Sequence, residues 1–421
     1  MFQKKFLSEV PYLALFLVTS FFLYTHTPNI GYDSPSYINF SVFRPLIYPV
    51  FIWLFHWAGK YQFNFVVWTQ SILTFFSLLY ARNWLKENLN ISDYLIFFIL
   101  LFVLITICFH FQMWYLESEG LSFPFFIFTF FLLIDCFDHF NLKKISYLAL
   151  WVGILILTRL QFYYFYGVFV LLLAWYFWKK TSGKSLWICF SILLGSIFLI
   201  TLIDHAYHYF RNGSFLGAPT IGSQLVIQPL FLANTGAENY FKNAHEKNTV
   251  QYIINEIHKQ KLNNYSAYLS VLKPKYYEYA YEEYNRNYNA MQGIIYNTFK
   301  KLPPYELDKT TIDIAKTLFL HNIKINLFFY AWKIMDSFGG VPPFLFFCLL
   351  LLSVIYKIFQ NKNEHLNLSQ IFVALTIVIT FANALLVAMV EPNCAGYFCY
   401  TQFLLYCLAA LIADKIFFKK N

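Results

Sequence analysis

Runs of ~18 or more apolar residues recur along this chain, each long enough to cross a ~30 Å hydrocarbon core. No soluble domain of 421 residues needs so much apolar sequence. Inside lipid every backbone N–H and C=O must be paired by the protein, and a helix does this within one segment. The expected fold class is therefore all-α integral membrane: a polytopic helical bundle with outer-face juxtamembrane helices and a mostly helical extracytoplasmic segment. Hydrophobic residues at 59% against charged residues at 13% leave little polar surface for any other class.

The net charge of +9 does not point to nucleic acid. The basic residues sit in short clusters at span ends: Lys4-Lys5, Arg82 with Lys86, Lys143-Lys144, Lys179-Lys180 with Lys184, Lys357 with Lys362, and Lys415 with Lys419-Lys420. That distribution follows the positive-inside rule. Spans are expected at 8–24, 63–81, 93–110, 121–138, 145–159, 162–178, 185–204, 340–357, 370–390 and 399–416. The apolar piece 45–58, after the Arg44-Pro45 corner, is expected to lie at the surface or half-inserted. With the N-terminus inside and 45–58 not crossing, every basic cluster falls on one side. The expectation is about ten spans with both termini cytoplasmic, in an inner membrane of bacterial type. The basic, apolar N-terminus lacks a small-residue cleavage site and reads as a retained first span.

The chain then falls into a membrane module 1–204, an extracytoplasmic segment 205–337 and a final membrane module 338–421. No internal repeat and no Gly/Ser linker interrupts it. Within the outer segment, Tyr277, Tyr281, Tyr284, Tyr288, Met291, Ile295 and Phe299 recur at steps of three and four, one continuous helical face. Pro274 can start that helix and Pro303-Pro304 stop it. The stripe either packs onto its own domain or offers tyrosines to sugar rings or headgroups. Cys394 and Cys399 flank a short loop and are disulfide candidates if it faces an oxidising compartment, while the other five cysteines fall within or at the ends of apolar runs. No CxxC pair is present.

On this topology a small set of ionisable residues marks the outer ends of spans. Asp33 lies in Gly31-Tyr32-Asp33-Ser34-Pro35-Ser36-Tyr37, either a reactive acid at the membrane surface, a solvated loop acid or a helix N-cap. Arg44 follows in Arg44-Pro45-Leu46-Ile47-Tyr48-Pro49. Glu117-Ser118-Glu119 precedes another span, and Arg159 sits in the short turn Leu157-Thr158-Arg159-Leu160-Gln161, unless it snorkels to headgroups. Glu391 starts the turn before the last span. Asp204, His205 and His208 follow the seventh; the His-x-x-His spacing suits a metal, but no third ligand is evident.

Two or three acids and an arginine at a membrane surface fit group transfer from a lipid phosphate. A carboxylate takes the proton of an acceptor hydroxyl, and an arginine holds the leaving phosphate through its planar fork. No nucleotide is at hand outside a cell and no Walker-type glycine loop occurs, so the donor must be lipid-borne.

In the order Asp33, Arg44-Pro-Leu-Ile-Tyr-Pro49, Ser118-Glu119-x-Leu121, Thr158-Arg159, the chain resembles the GT-C superfamily of polytopic glycosyltransferases, which includes protein O-mannosyltransferases and lipid A aminoarabinose transferases. The resemblance covers roughly 8–180 in motif order and the outer segment in layout. It implies a glycosyltransferase that moves a sugar from a polyprenyl-phosphate donor to a glycan, lipid or protein hydroxyl on the outer face. The catalytic residues implied are Asp33 and Glu119, the phosphate-binding residues Arg159 and Arg44, and the substrate contacts Tyr37, Glu117, Gln161 and Glu391. Many members carry a second acid beside the first-loop acid; here Ser34-Pro35-Ser36 follows Asp33, so a divalent cation is left open and Glu119 is the candidate second carboxylate. An O-antigen polymerase or ligase and a transporter or flippase of lipid-linked sugars are the alternatives. The first class leans on outer-loop Arg and His. The second usually shows repeated halves and mid-membrane charges, which are not evident here.

Overall fold

The computed structural model describes residues 2–112, 114–266, 274–360, 366–392 and 395–417. Cys394 lies outside the described residues, and with it the Cys394–Cys399 pairing; so do Lys362, Lys419 and Lys420. The described residues are helical throughout, apart from turns and one isolated bridge between Asn29 and Tyr115. They form two compact units.

Unit 1 comprises 1–218, 350–383 and 399–421. Its helices are α1 (Phe2–Thr25), α2 (Ser34–Ile38), α3 (Ile47–Trp53), α4 (Gln62–Leu89), α5 (Asp93–Val103), α6 (Glu119–Asp138), α7 (Leu142–Thr158), α8 (Tyr164–Trp178) and α9 (Gly183–Asn212). Unit 2 comprises 219–349 and 384–398. It holds α10 (Ile221–Leu225), α11 (Ile227–Phe231), α12 (Ala244–Lys259), α13 (Pro274–Phe299), α14 (Pro304–His321) and α15 (Ile323–Ser337). The division falls within α16 (Val341–Gln360) and α17 (Leu368–Val390), while α18 (Cys399–Phe417) belongs to unit 1. The boundary expected at 204/205 lies inside α9.

Local sequence sets the ends of these helices. The Asn141 side chain accepts the Lys143 and Lys144 N–H groups, at 2.9 and 3.2 Å, and caps α7. Gly213, at φ 75°, takes the left-handed turn that closes α9. Between α15 and α16 the Gly339-Gly340 pair, both at positive φ, allows an 87° bend. Six helical stretches among the described residues are long and apolar enough to cross a membrane, seven if the bent pair Ile323–Ser337 and Val341–Lys357 counts as one. The other expected spans are helices too, but shorter: Glu9–Thr25, Asp93–Cys108 and the 17 residues of α7. The piece 45–58 holds only the seven-residue α3 and part of a 3-10 turn, about 10 Å of helix, too short to cross.

In lipid the hydrophobic effect does not hold helices together; packing and hydrogen bonds do. The centre of unit 1 is α6, whose Phe123, Phe126, Phe130 and Phe131 are fully buried. Phe123 packs edge-on to Phe403 of α18, and Ser122 Oγ bonds the Tyr400 hydroxyl at 2.7 Å. By contrast, only 17% of the apolar window of α9 is buried, so Trp187, Leu194 and Phe198 are left exposed. In unit 2 the stripe of α13 settles the choice left by the sequence. Tyr277, Tyr281, Tyr284, Tyr288, Met291, Ile295 and Phe299 are all buried in that unit's own core, which overturns the sugar- or headgroup-facing alternative. Two of their hydroxyls reach backbone carbonyls, Tyr281 to Pro392 and Tyr288 to Val390.

Candidate functional site

The loop after α1 is pinned rather than loose. At the isolated bridge between Asn29 and Tyr115, Asn29 N–H donates to the Trp114 carbonyl at 2.7 Å and Leu116 N–H donates to the Asn29 carbonyl at 2.9 Å. Ser34 donates to the Leu116 carbonyl at 2.8 Å. Tyr37, Tyr48 and Ile52 are buried against Val66, Val67, Leu116 and Leu121. Tyr48 in turn donates to Gln70 Oε1, and Gln70 Nε2 donates to the Tyr115 carbonyl. Gly120 makes this junction possible, because a Cβ there would meet the Gln70 amide at 2.6 Å. Gly120→Val is expected to overpack the α4–α6 seam and cost ~1–3 kcal/mol, read as a lower thermal midpoint of the detergent-solubilised protein. An unchanged midpoint would show that Gln70 yields freely.

On this frame sits a continuous polar chain. Arg44 Nη2 pairs with Asp33 Oδ1 at 2.5 Å, and Arg44 Nε donates to Ser36 Oγ at 2.7 Å. Arg44 Nη1 donates to the Tyr37 hydroxyl at 3.2 Å. The Tyr37 hydroxyl shares a 2.9 Å bond with Ser118 Oγ. Ser118 Oγ also lies 3.4 Å from both Glu119 Oε2 and Arg159 Nη1. Arg159 forms an ion pair with Glu119, and its Nε donates to Gln161 Oε1 at 3.0 Å. Gln161 Nε2 donates to Asn383 Oδ1 at 2.6 Å. Burial raises the Tyr37 hydroxyl above its usual range, so it stays a neutral relay between the two pairs.

The structure therefore brings together Asp33, Arg44, Tyr37, Glu119, Arg159 and Gln161, six of the residues the sequence singles out. Asp33 stands before α2, but its side chain makes no cap bond, so the capping alternative fails. Asp33 Oδ2 has no hydrogen-bond partner among the described residues and its side chain is 43% exposed. Arg159 turns inward to Glu119, Ser118 and Gln161 rather than snorkelling. Glu117 lies in the same neighbourhood, against Gly31, where a Cβ would strike its carboxylate. Burial, with Glu119 and Asp33 adding repulsion, pushes the Glu117 carboxyl up to about 7. Glu391 lies in unit 2, where it accepts a bond from Gln224 Nε2 at 3.2 Å.

Asp204 and His208 are buried, with His208 Nε2 3.6 Å from Asp204 Oδ1. No third ligand joins them: among the described residues no group of three His, Cys, Asp or Glu side chains is placed to hold a metal ion. Asp33 and Glu119 likewise face guanidinium groups, so the residues present do not fit a resident divalent cation.

Two members of the network escape sequence reasoning. Ser36 carries no signal beyond its place in the first loop. Asn383 had one, since an amide inside the apolar run of α17 is costly in lipid and needs a partner. No family model, no curated protein and no solved structure matches this chain.

Proposed function

We propose that this protein is an integral membrane glycosyltransferase, which takes a sugar from a polyprenyl-phosphate donor and places it on a hydroxyl of a glycan, lipid or protein at the outer face. The observation that supports it best is the pair of carboxylate–arginine couples, Asp33–Arg44 and Glu119–Arg159, joined through Tyr37 and Ser118 in a unit built of membrane-capable helices. Asp33 is the base of a direct, inverting displacement. Arg44 holds it in place through Oδ1, and Oδ2 receives the acceptor proton. Arg159, anchored by Glu119 and Gln161, binds the phosphate that leaves with the lipid. Arg44 is the second cation for that phosphate, and Tyr37 and Gln161 position the substrates. The assay is release of polyprenyl phosphate from a panel of polyprenyl-phosphate sugars by the purified, reconstituted protein. Failure of every donor, with the protein folded, would count against this reading.

The topology that goes with it has ten spans, both termini cytoplasmic and 205–337 outside, in a bacterial inner membrane. Single cysteines at exposed Asn248 and Asn289 are expected to react with a membrane-impermeant thiol reagent in intact cells, above the background of the native cysteines. A cysteine at exposed Lys143 is expected not to react, and labelling there from outside would sink the orientation.

A further inference from the structure

Resting on that reading, the geometry points to Glu117, in its neutral form, as a hydrogen-bond donor to the donor phosphate, so that binding this anion takes up a proton. Arg44 is matched by Asp33 and Arg159 by Glu119, so the two arginines bring no net positive charge to the site. Glu117 is the remaining carboxyl, and it has no ion pair among the described residues. The charged groups that act on it most belong to this network: Glu119 and Asp33 repel its charge, and Arg159 and Arg44 favour it, to a lesser extent. An ionised Glu117 would thus leave a phosphate anion facing a net negative site.

Position adds to this. Glu117 is partly buried, its carboxylate lies over Gly31, and that segment leads directly to Asp33. With its carboxyl at about 7, the proton that phosphate binding needs is available near neutral pH. A carboxylic acid kept neutral can donate to an oxyanion, and the bond strengthens as the glycosidic C–O bond breaks and charge gathers on the phosphate. Below about pH 7 the donor form is present; it is lost as pH rises through that value.

The test uses the full chain in detergent and farnesyl methyl phosphate, an isoprenyl phosphodiester whose single charge does not change in the range studied. For the wild type, affinity should fall about tenfold per pH unit on the alkaline side. Calorimetry in two buffers of different ionisation enthalpy should show a net uptake approaching one proton. Glu117→Gln should flatten the pH dependence and abolish the uptake. Gly31→Ala, which must displace the carboxylate, should weaken binding at low pH and leave it little changed at high pH. If Glu117→Gln folds poorly, the wild-type proton uptake decides by itself. Binding that is independent of pH, with no proton taken up, overturns this proposal and leaves the glycosyltransferase reading standing. No binding at any pH overturns both.

Discussion

Asp33→Asn is expected to lower turnover by ~100-fold or more, because general-base catalysis is worth roughly 10²–10⁴ and an amide oxygen is not basic. The substitution keeps shape and hydrogen-bond reach. Its Oδ1 can still accept from Arg44, and an ion pair this open to solvent contributes only ~0–1 kcal/mol, so folding should survive. Donor binding should also be largely kept, since the lost term belongs to the transition state. In the sequence alone this experiment was also a test for a helix cap, where Asn serves as well as Asp. The structure removes that ambiguity, because the Asp33 side chain makes no cap bond and turns to Arg44. The measurement is the rate of polyprenyl phosphate release beside thermal midpoint and donor affinity. Full activity in Asp33→Asn would refute the base assignment and weaken the whole glycosyltransferase reading.

Arg159→Ala should act on both stability and binding. It strips Glu119, whose side chain is only 20% exposed, of its cation, and breaking such a buried pair costs ~3–5 kcal/mol. It also frees Ser118 Oγ and Gln161 Oε1 from one partner each. Arg159→Lys restores charge but not the planar fork that reaches Glu119, Ser118 and Gln161 together, so donor affinity should fall there too. Adding Glu119→Gln to Arg159→Ala separates the two effects. It removes the stranded carboxylate, so the thermal midpoint should partly recover, while isoprenyl phosphate binding should not. If binding and turnover in Arg159→Ala match the wild type in a protein of normal abundance, Arg159 is structural and the phosphate assignment falls.

Much of the fold is legible along the chain because the forces involved are local. Apolar runs must be helical in lipid, and each expected span is a helix here. Pro274 and Pro303-Pro304 bound α13 because proline favours a helix start and stops a preceding one. The period of the tyrosine stripe gave its face, but not what covers that face. Covering depends on α11, α12, α14 and α15 of unit 2, and no periodicity names a partner.

The acids and arginines of the candidate site could be picked from the sequence for a physical reason: charge next to an apolar run is costly and stands out. Their pairing could not. Asp33 with Arg44 and Glu119 with Arg159 is decided by how the first loop lies across Leu116 and how the turn after α7 meets the start of α6. The same holds for Asn383, 222 positions from the Gln161 it bonds. The sequence by itself determined a helical membrane protein and the charged residues at the ends of its spans, because transfer free energy acts residue by residue. Only the tertiary structure decided which carboxylates are matched by arginines and which one, Glu117, is left over, because a balance of charge exists only between groups brought together in space.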